Sequence, residues 1–203
     1  MFTCVPLNLY SFSGRNCCII VAGGWPVQSD IQRKLSDVEV LAKDIGIKQL
    51  PNLPAGNIGS SMVLHNGTIL LCGGYDEEQK CLQMEHGTWK DHSTLNKGRR
   101  FHSAVTTETA TFLFGGCMTG KTYEYLPKDS TRWLMGRTEI PGREYSRGCA
   151  VFVKSKQEIW LIGGYIPGAV GLKRILIFNV NDHTFRVSES VLNVARLSLT
   201  LTR

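Results

Sequence analysis

Residues 111–116 read TFLFGG, an apolar run closed by two glycines, and the same phrase stands at residues 19–24 (IIVAGG), 69–74 (ILLCGG) and 159–164 (IWLIGG). The doublets are Gly23-Gly24, Gly73-Gly74, Gly115-Gly116 and Gly163-Gly164, and their first members lie 50, 42 and 48 residues apart. That period belongs to repeat architectures in which each unit is one small supersecondary element. One doublet alone says little; the register of all of them decides the fold.

Working outward, each later doublet is preceded by a short apolar segment that reads as a first strand, at residues 60–63 (SSMV), 102–105 (HSAV) and 148–151 (GCAV). The polar connections HNGT, TTETA and KSKQ have hairpin length and composition. Downstream, a second strand pair is expected at residues 122–125 with 131–135 and at 174–180 with 184–188, the turns carrying Pro127, Asp129, Asn181 and Asp182. A bulky residue marks the fourth strand: Trp89, Trp133 and Phe185, with Ile47 in the same place in the first unit. Leu95-Asn96-x-x-Arg99 returns as Leu192-Asn193-x-x-Arg196, which supports the same register.

A four-stranded sheet with apolar residues on both faces is not stable alone and stacks on copies of itself around an axis. The expected fold class is therefore all-β, a propeller of about four four-stranded blades. The blades are expected at about 8–50, 58–92, 100–136 and 147–190, and LSLTLTR at the end of residues 196–203 alternates like the first strand of a fifth. Such a ring is incomplete. A fragment of a longer propeller is the favoured expectation, with completion by a partner copy as the other.

The units resemble kelch repeats, whose hallmark is an apolar strand ending in Gly-Gly, then a Tyr, then a Trp. The resemblance covers about residues 17–203, and the third unit carries it best through Gly115-Gly116, Tyr123 or Tyr125, and Trp133. The first unit lacks both aromatics. Kelch membership implies a protein-binding scaffold, often the substrate-recognition part of a ubiquitin-ligase adaptor, although no BTB or BACK region accompanies the repeats here. No Gly-His to Trp-Asp pattern marks the rival WD40 propeller.

In such blades the second-to-third-strand loops and the crossings between blades share one face. Arg99, Arg100, Arg143, Arg147, Lys173, Arg174 and Arg196 fall there or at its edge, opposed by Asp76, Glu77 and Glu78. Guanidinium groups suit carboxylates, so a short acidic segment of a partner protein is the expected ligand. Tyr75, Tyr145 and Tyr165 would add aromatic contact area. The net charge of +6 agrees with acidic partners, but no Lys/Arg-rich block favours nucleic acid.

Catalytic machinery is not expected. The histidines (His65, His86, His92, His102, His183) read as solvated or turn-capping, no glycine loop leads into a helix to cradle phosphate, and no cofactor is implied. Copper oxidases resemble kelch propellers, but their Tyr/His ligand set and Tyr-Cys pair have no matching motif here. The seven cysteines show no C-x-x-C spacing. Cys72 and Cys81 flank a hairpin loop and form a candidate disulfide. With Asn66-Gly67-Thr68, which is both a glycan acceptor and a hairpin turn, they keep an extracellular recognition domain open beside a slightly favoured cytoplasmic location. The longest apolar runs, such as 17–22 and 159–162, are too short to cross a bilayer.

Overall fold

The computed structural model describes residues 3–8, 17–25, 34–42, 46–117, 119–142, 144–166 and 171–196. Their regular structure is β-strand, apart from one turn of 3-10 helix at Lys154–Lys156. The strands form four four-stranded antiparallel sheets, each with its strands side by side in chain order. The first sheet holds β1 (Thr3–Asn8), β2 (Cys17–Gly24), β3 (Leu35–Ala42) and β4 (Gly46–Leu50). The second holds β5 (Ser61–His65), β6 (Thr68–Cys72), β7 (Lys80–Glu85) and β8 (Thr88–Thr94). The third holds β9 (Ser103–Thr106), β10 (Ala110–Phe114), β11 (Tyr123–Pro127) and β12 (Leu134–Met135). The fourth holds β13 (Cys149–Val153), β14 (Glu158–Ile162), β15 (Ile175–Asn179) and β16 (Phe185–Val187).

The first strands β1, β5, β9 and β13 neighbour one another in succession. That places them innermost and gives the sheets a propeller-like arrangement. The first sheet starts at Thr3, upstream of the start expected near residue 8, because Pro6 obscures the strand in sequence. Residues 197–203, read as a fifth first strand, lie outside the described residues.

The glycine doublet has one job in every sheet. Its two residues take φ of +62° and +118° at Gly23 and Gly24, +66° and +104° at Gly73 and Gly74, +66° and +112° at Gly115 and Gly116, and +65° and +102° at Gly163 and Gly164. Residues with a Cβ rarely adopt that region. The twist turns the second amide toward the segment that crosses to the next sheet: Gly24 N donates to Asn57 O (2.8 Å), Gly74 N to Arg99 O (2.8 Å), Gly116 N to Tyr145 O (2.9 Å) and Gly164 N to Arg196 O (2.8 Å). The crossing chain also lies so close that a Cβ on Gly115 would sit 2.0 Å from Tyr145 O. The doublets are thus latches, each tying one sheet to the segment that enters the next.

Three apolar interfaces fill the spaces between successive sheets. Ile20, Val38 and Val40 meet Met62 and Leu71 between the first and second, with Trp89 at the edge, where its Nε1 donates to Pro51 O (2.9 Å). Trp133 is 1% exposed between the second and third sheets, beside Leu70, Leu113 and Leu126, and its Nε1 donates to Ser93 Oγ (3.0 Å). Phe112, Phe114, Tyr123 and Phe178 form an aromatic cluster between the third and fourth, with Phe185 packed against it. Ile47, their counterpart in the first sheet, is 68% exposed.

Cys72 and Cys81 stand directly opposite in the β6–β7 register and are joined by a disulfide, buried in the interface with the third sheet. Asn66 and Gly67 have φ of +49° and +78°, as the Asn-Gly hairpin reading requires, and the Asn66 side-chain amide donates to Lys128 O.

A candidate recognition face of alternating cations and rings

The segments entering β5, β9 and β13 and the residues just after the doublets gather at one end of the row of sheets. Backbone bonds fix them: Tyr75 N donates to Ile58 O (2.9 Å), Phe101 N to Gly59 O (2.6 Å), Arg147 N to Phe101 O (2.7 Å) and Tyr165 N to Ser146 O (2.7 Å). Gly59 lies flat under the Phe101 ring, where a Cβ would come within 2.9 Å of it. Residues flanking successive sheets are thereby brought into one line.

Along that line cations and rings alternate. Lys34 Nζ lies 5.1 Å and the Arg100 guanidinium 4.0 Å from the Tyr75 ring centre. Tyr75 and Phe101 meet edge to face at 6.3 Å. Arg147 sits 4.2 Å over Phe101 and 6.0 Å from Tyr165. Ring faces carry negative charge density, so each contact holds a cation in place without neutralising it.

The charges are not equally engaged. Arg100 pairs with Glu78 at 3.2 Å, and Lys34 with Asp76. Arg147 has no carboxylate within ion-pair distance among the described residues. An open groove of about 780 Å³ runs beside Tyr75 and Arg100, and its walls carry both signs, Asp76 and Glu78 against Lys97 and Arg100. Nearby, His102 is 5% exposed, with neither ring nitrogen hydrogen-bonded. Burial, aided by the positive charge of Arg99, pushes its pKa down to about 3, so it is a neutral ring.

Four of the side chains expected on the face come together here: Tyr75, Arg100, Arg147 and Tyr165. Others do not. Arg99 is fully buried, its Nε donating to Glu124 Oε1 (3.0 Å) and its Nη1 to Gly115 O (2.8 Å), so it is an internal tie rather than a binding residue. Tyr145 is likewise fully buried, because its chain crosses under the doublet of the third sheet. Arg174 is only half accessible; its Nη1 donates to Pro141 O (3.0 Å), and its Nε and Nη2 are buried. Lys173 and Arg196 are exposed and take no part in these cation–ring contacts, and Arg143 lies outside the described residues. Phe101 and Lys34 were not anticipated. Phe101 had a readable signal, since it precedes β9 at the position Arg147 holds before β13.

The histidines also depart from expectation. His65 is buried, with Nδ1 2.9 Å from Thr111 Oγ1, and His183 packs edge-on against Tyr125. Among the described residues no three His, Cys, Asp or Glu side chains converge as a metal-binding group, and no helix is long and apolar enough to cross a membrane.

No family model and no curated protein matches the chain. Among solved structures it is similar to that of YjhT, with a TM-score of 0.71 at 12% identity over 88% of this chain. The chain spans 64% of the length of that structure. At this identity the likeness concerns the fold alone.

Proposed function

We propose that this chain is a non-enzymatic, kelch-type β-propeller module that binds a short acidic segment of a partner protein across the line of rings and cations. The observation that carries the reading is Arg147, whose guanidinium lies 4.2 Å over the Phe101 ring and 6.0 Å from Tyr165, with no carboxylate within ion-pair distance among the described residues. A pre-positioned guanidinium takes a carboxylate in two parallel hydrogen bonds and loses little side-chain freedom in doing so. Arg100 and Lys34 can follow by exchanging Glu78 and Asp76 for the ligand, and the tyrosines give rigid contact area. The kelch assignment rests on the doublets, whose backbone geometry repeats in every sheet. Screening short Glu-rich and Lys-rich peptides against the purified chain tests the reading: acidic peptides bind, basic ones do not, and equal binding or none would refute it.

The buried Cys72–Cys81 disulfide favours a second reading, a recognition domain that works in an oxidising compartment. Thiol titration of the protein isolated under alkylating conditions separates the two. A bond intact in the freshly isolated protein supports the oxidising compartment, and two extra reactive thiols argue against it.

A further inference from the structure

The outer faces of the first and fourth described sheets are unlike, and they repeat, piece by piece, the halves of an internal interface. Between the second and third sheets, the third contributes Leu113, Glu124, Leu126 and Trp133, each at most 1% exposed. The first sheet sets Val21, Glu39, Leu41 and Ile47 at the same register positions, because Val21 pairs with Glu39 as Leu113 pairs with Glu124, both one step before the residue that precedes a doublet. Here, however, Glu39 is exposed, and Leu41 and Ile47 are 47% and 68% exposed.

The other half repeats too. The second sheet and its crossing segment offer Leu70, Cys72, Cys81, Leu95 and Arg99 to the third. By register, the fourth offers Trp160, Ile162, Ile175, Leu192 and Arg196, all at least partly exposed. Arg196 is the counterpart of Arg99: its carbonyl takes the amide of Gly164 at 2.8 Å as that of Arg99 takes the amide of Gly74 at 2.8 Å. In the complete interface the arginine enters the following sheet and meets a carboxylate, and Asn96 N and Nδ2 donate to that carboxylate at 2.7 and 2.8 Å. Asn193, the counterpart of Asn96, is exposed.

We propose that the fourth sheet of one chain docks on the first sheet of a second copy, head to tail, with Arg196 and Asn193 received by Glu39 of that copy. Among the described residues neither the Arg196 guanidinium nor the Glu39 carboxylate has an ion-pair partner; the two complement each other in charge, and the apolar surfaces around them are the two sides of one interface type. Because each chain carries both faces, two copies that close on each other form a ring, and copies that do not close form a chain. The proposal does not depend on the peptide-binding reading, since it uses neither Arg100 nor Arg147.

Sedimentation velocity of the intact chain tests it across a concentration series. The expected result is a concentration-dependent species of twice the 22.6 kDa of one chain. Arg196→Glu and Glu39→Arg each place like charges together and are expected to shift the protein to the monomer, with circular dichroism unchanged because both positions are exposed. An equimolar mixture of the two variants is the decisive arm. In a two-copy ring every interface in the mixture is again complementary, and the dimer returns. A wild-type chain that stays monomeric throughout, or variants that associate as well as wild type, would overturn the proposal.

Discussion

Arg99 reaches out of the segment between the second and third sheets and meets Glu124 on β11 at 3.0 Å, with both side chains 0% exposed. The pair is closed on all sides: Arg99 also bonds Gly115 O and Thr122 O, and Glu124 also accepts the amides of Asn96 and Lys97. Removing one partner strands a buried charge, which typically costs about 3–5 kcal/mol. Arg99→Met and Glu124→Gln are each expected to destabilise by that order in urea titration. The double variant should lose less than the sum, because the second change removes a charge already stranded. Strict additivity would show that the two do not act as a unit.

The latch predicts a contrast between two glycines that share positive φ. Gly67 has open space around it, so Gly67→Ala carries only the conformational penalty, about 1 kcal/mol. Gly115→Ala must also push Tyr145 O away and lose the bond from Gly116, and about 3 kcal/mol or more is expected. Equal losses in chemical denaturation would contradict the latch.

Acid sensitivity follows from His102. In the unfolded chain its imidazole titrates at the ordinary 6.5, and in the folded chain at about 3. Below pH 6.5 the unfolded state takes a proton that the folded state refuses, so stability present above that pH falls as the pH drops toward 3, by about 1.4 kcal/mol per unit. The uncharged variant His102→Leu lacks this loss. Between pH 6 and pH 4 its stability relative to wild type is expected to rise by roughly that slope, and parallel pH curves would argue against a buried neutral histidine.

The Cys72–Cys81 link closes a short loop, and its removal in Cys72→Ala/Cys81→Ala is expected to lower stability by about 2–3 kcal/mol through the unfolded state. Because both sulfurs are buried, mild reductant should leave the native protein oxidised until denaturant is added. Rapid reduction under native conditions would contradict that burial.

The repeat was legible in the sequence because its cause is local. The φ above +100° at the second doublet position and the close approach of the crossing chain both favour glycine on steric grounds, so the latch leaves the same two letters in every unit. Hairpin turns such as Asn66-Gly67 were legible for the same reason. The surface was harder to read. A lone arginine has the same local signature whether it faces solvent or a carboxylate 25 positions away, as Arg99 does. Only Glu124, a single acid inside the apolar strand around Tyr123 and Tyr125, hinted that a charge was paired internally. Phe101 was missed because its role depends on stacking under Arg147, a contact between different sheets.

We propose that Arg147 takes a carboxylate of a partner. This is tested most directly by fluorescence anisotropy with a labelled Glu-rich peptide on wild type, Arg147→Glu, and Lys154→Glu on the exposed hairpin at the opposite end of the fourth sheet. The account expects Arg147→Glu to weaken binding at least about tenfold, a loss of about 1.4 kcal/mol, with added salt weakening wild type and Lys154→Glu behaving much like wild type. Equal affinity for Arg147→Glu and wild type, or an equal loss in both variants, would contradict it.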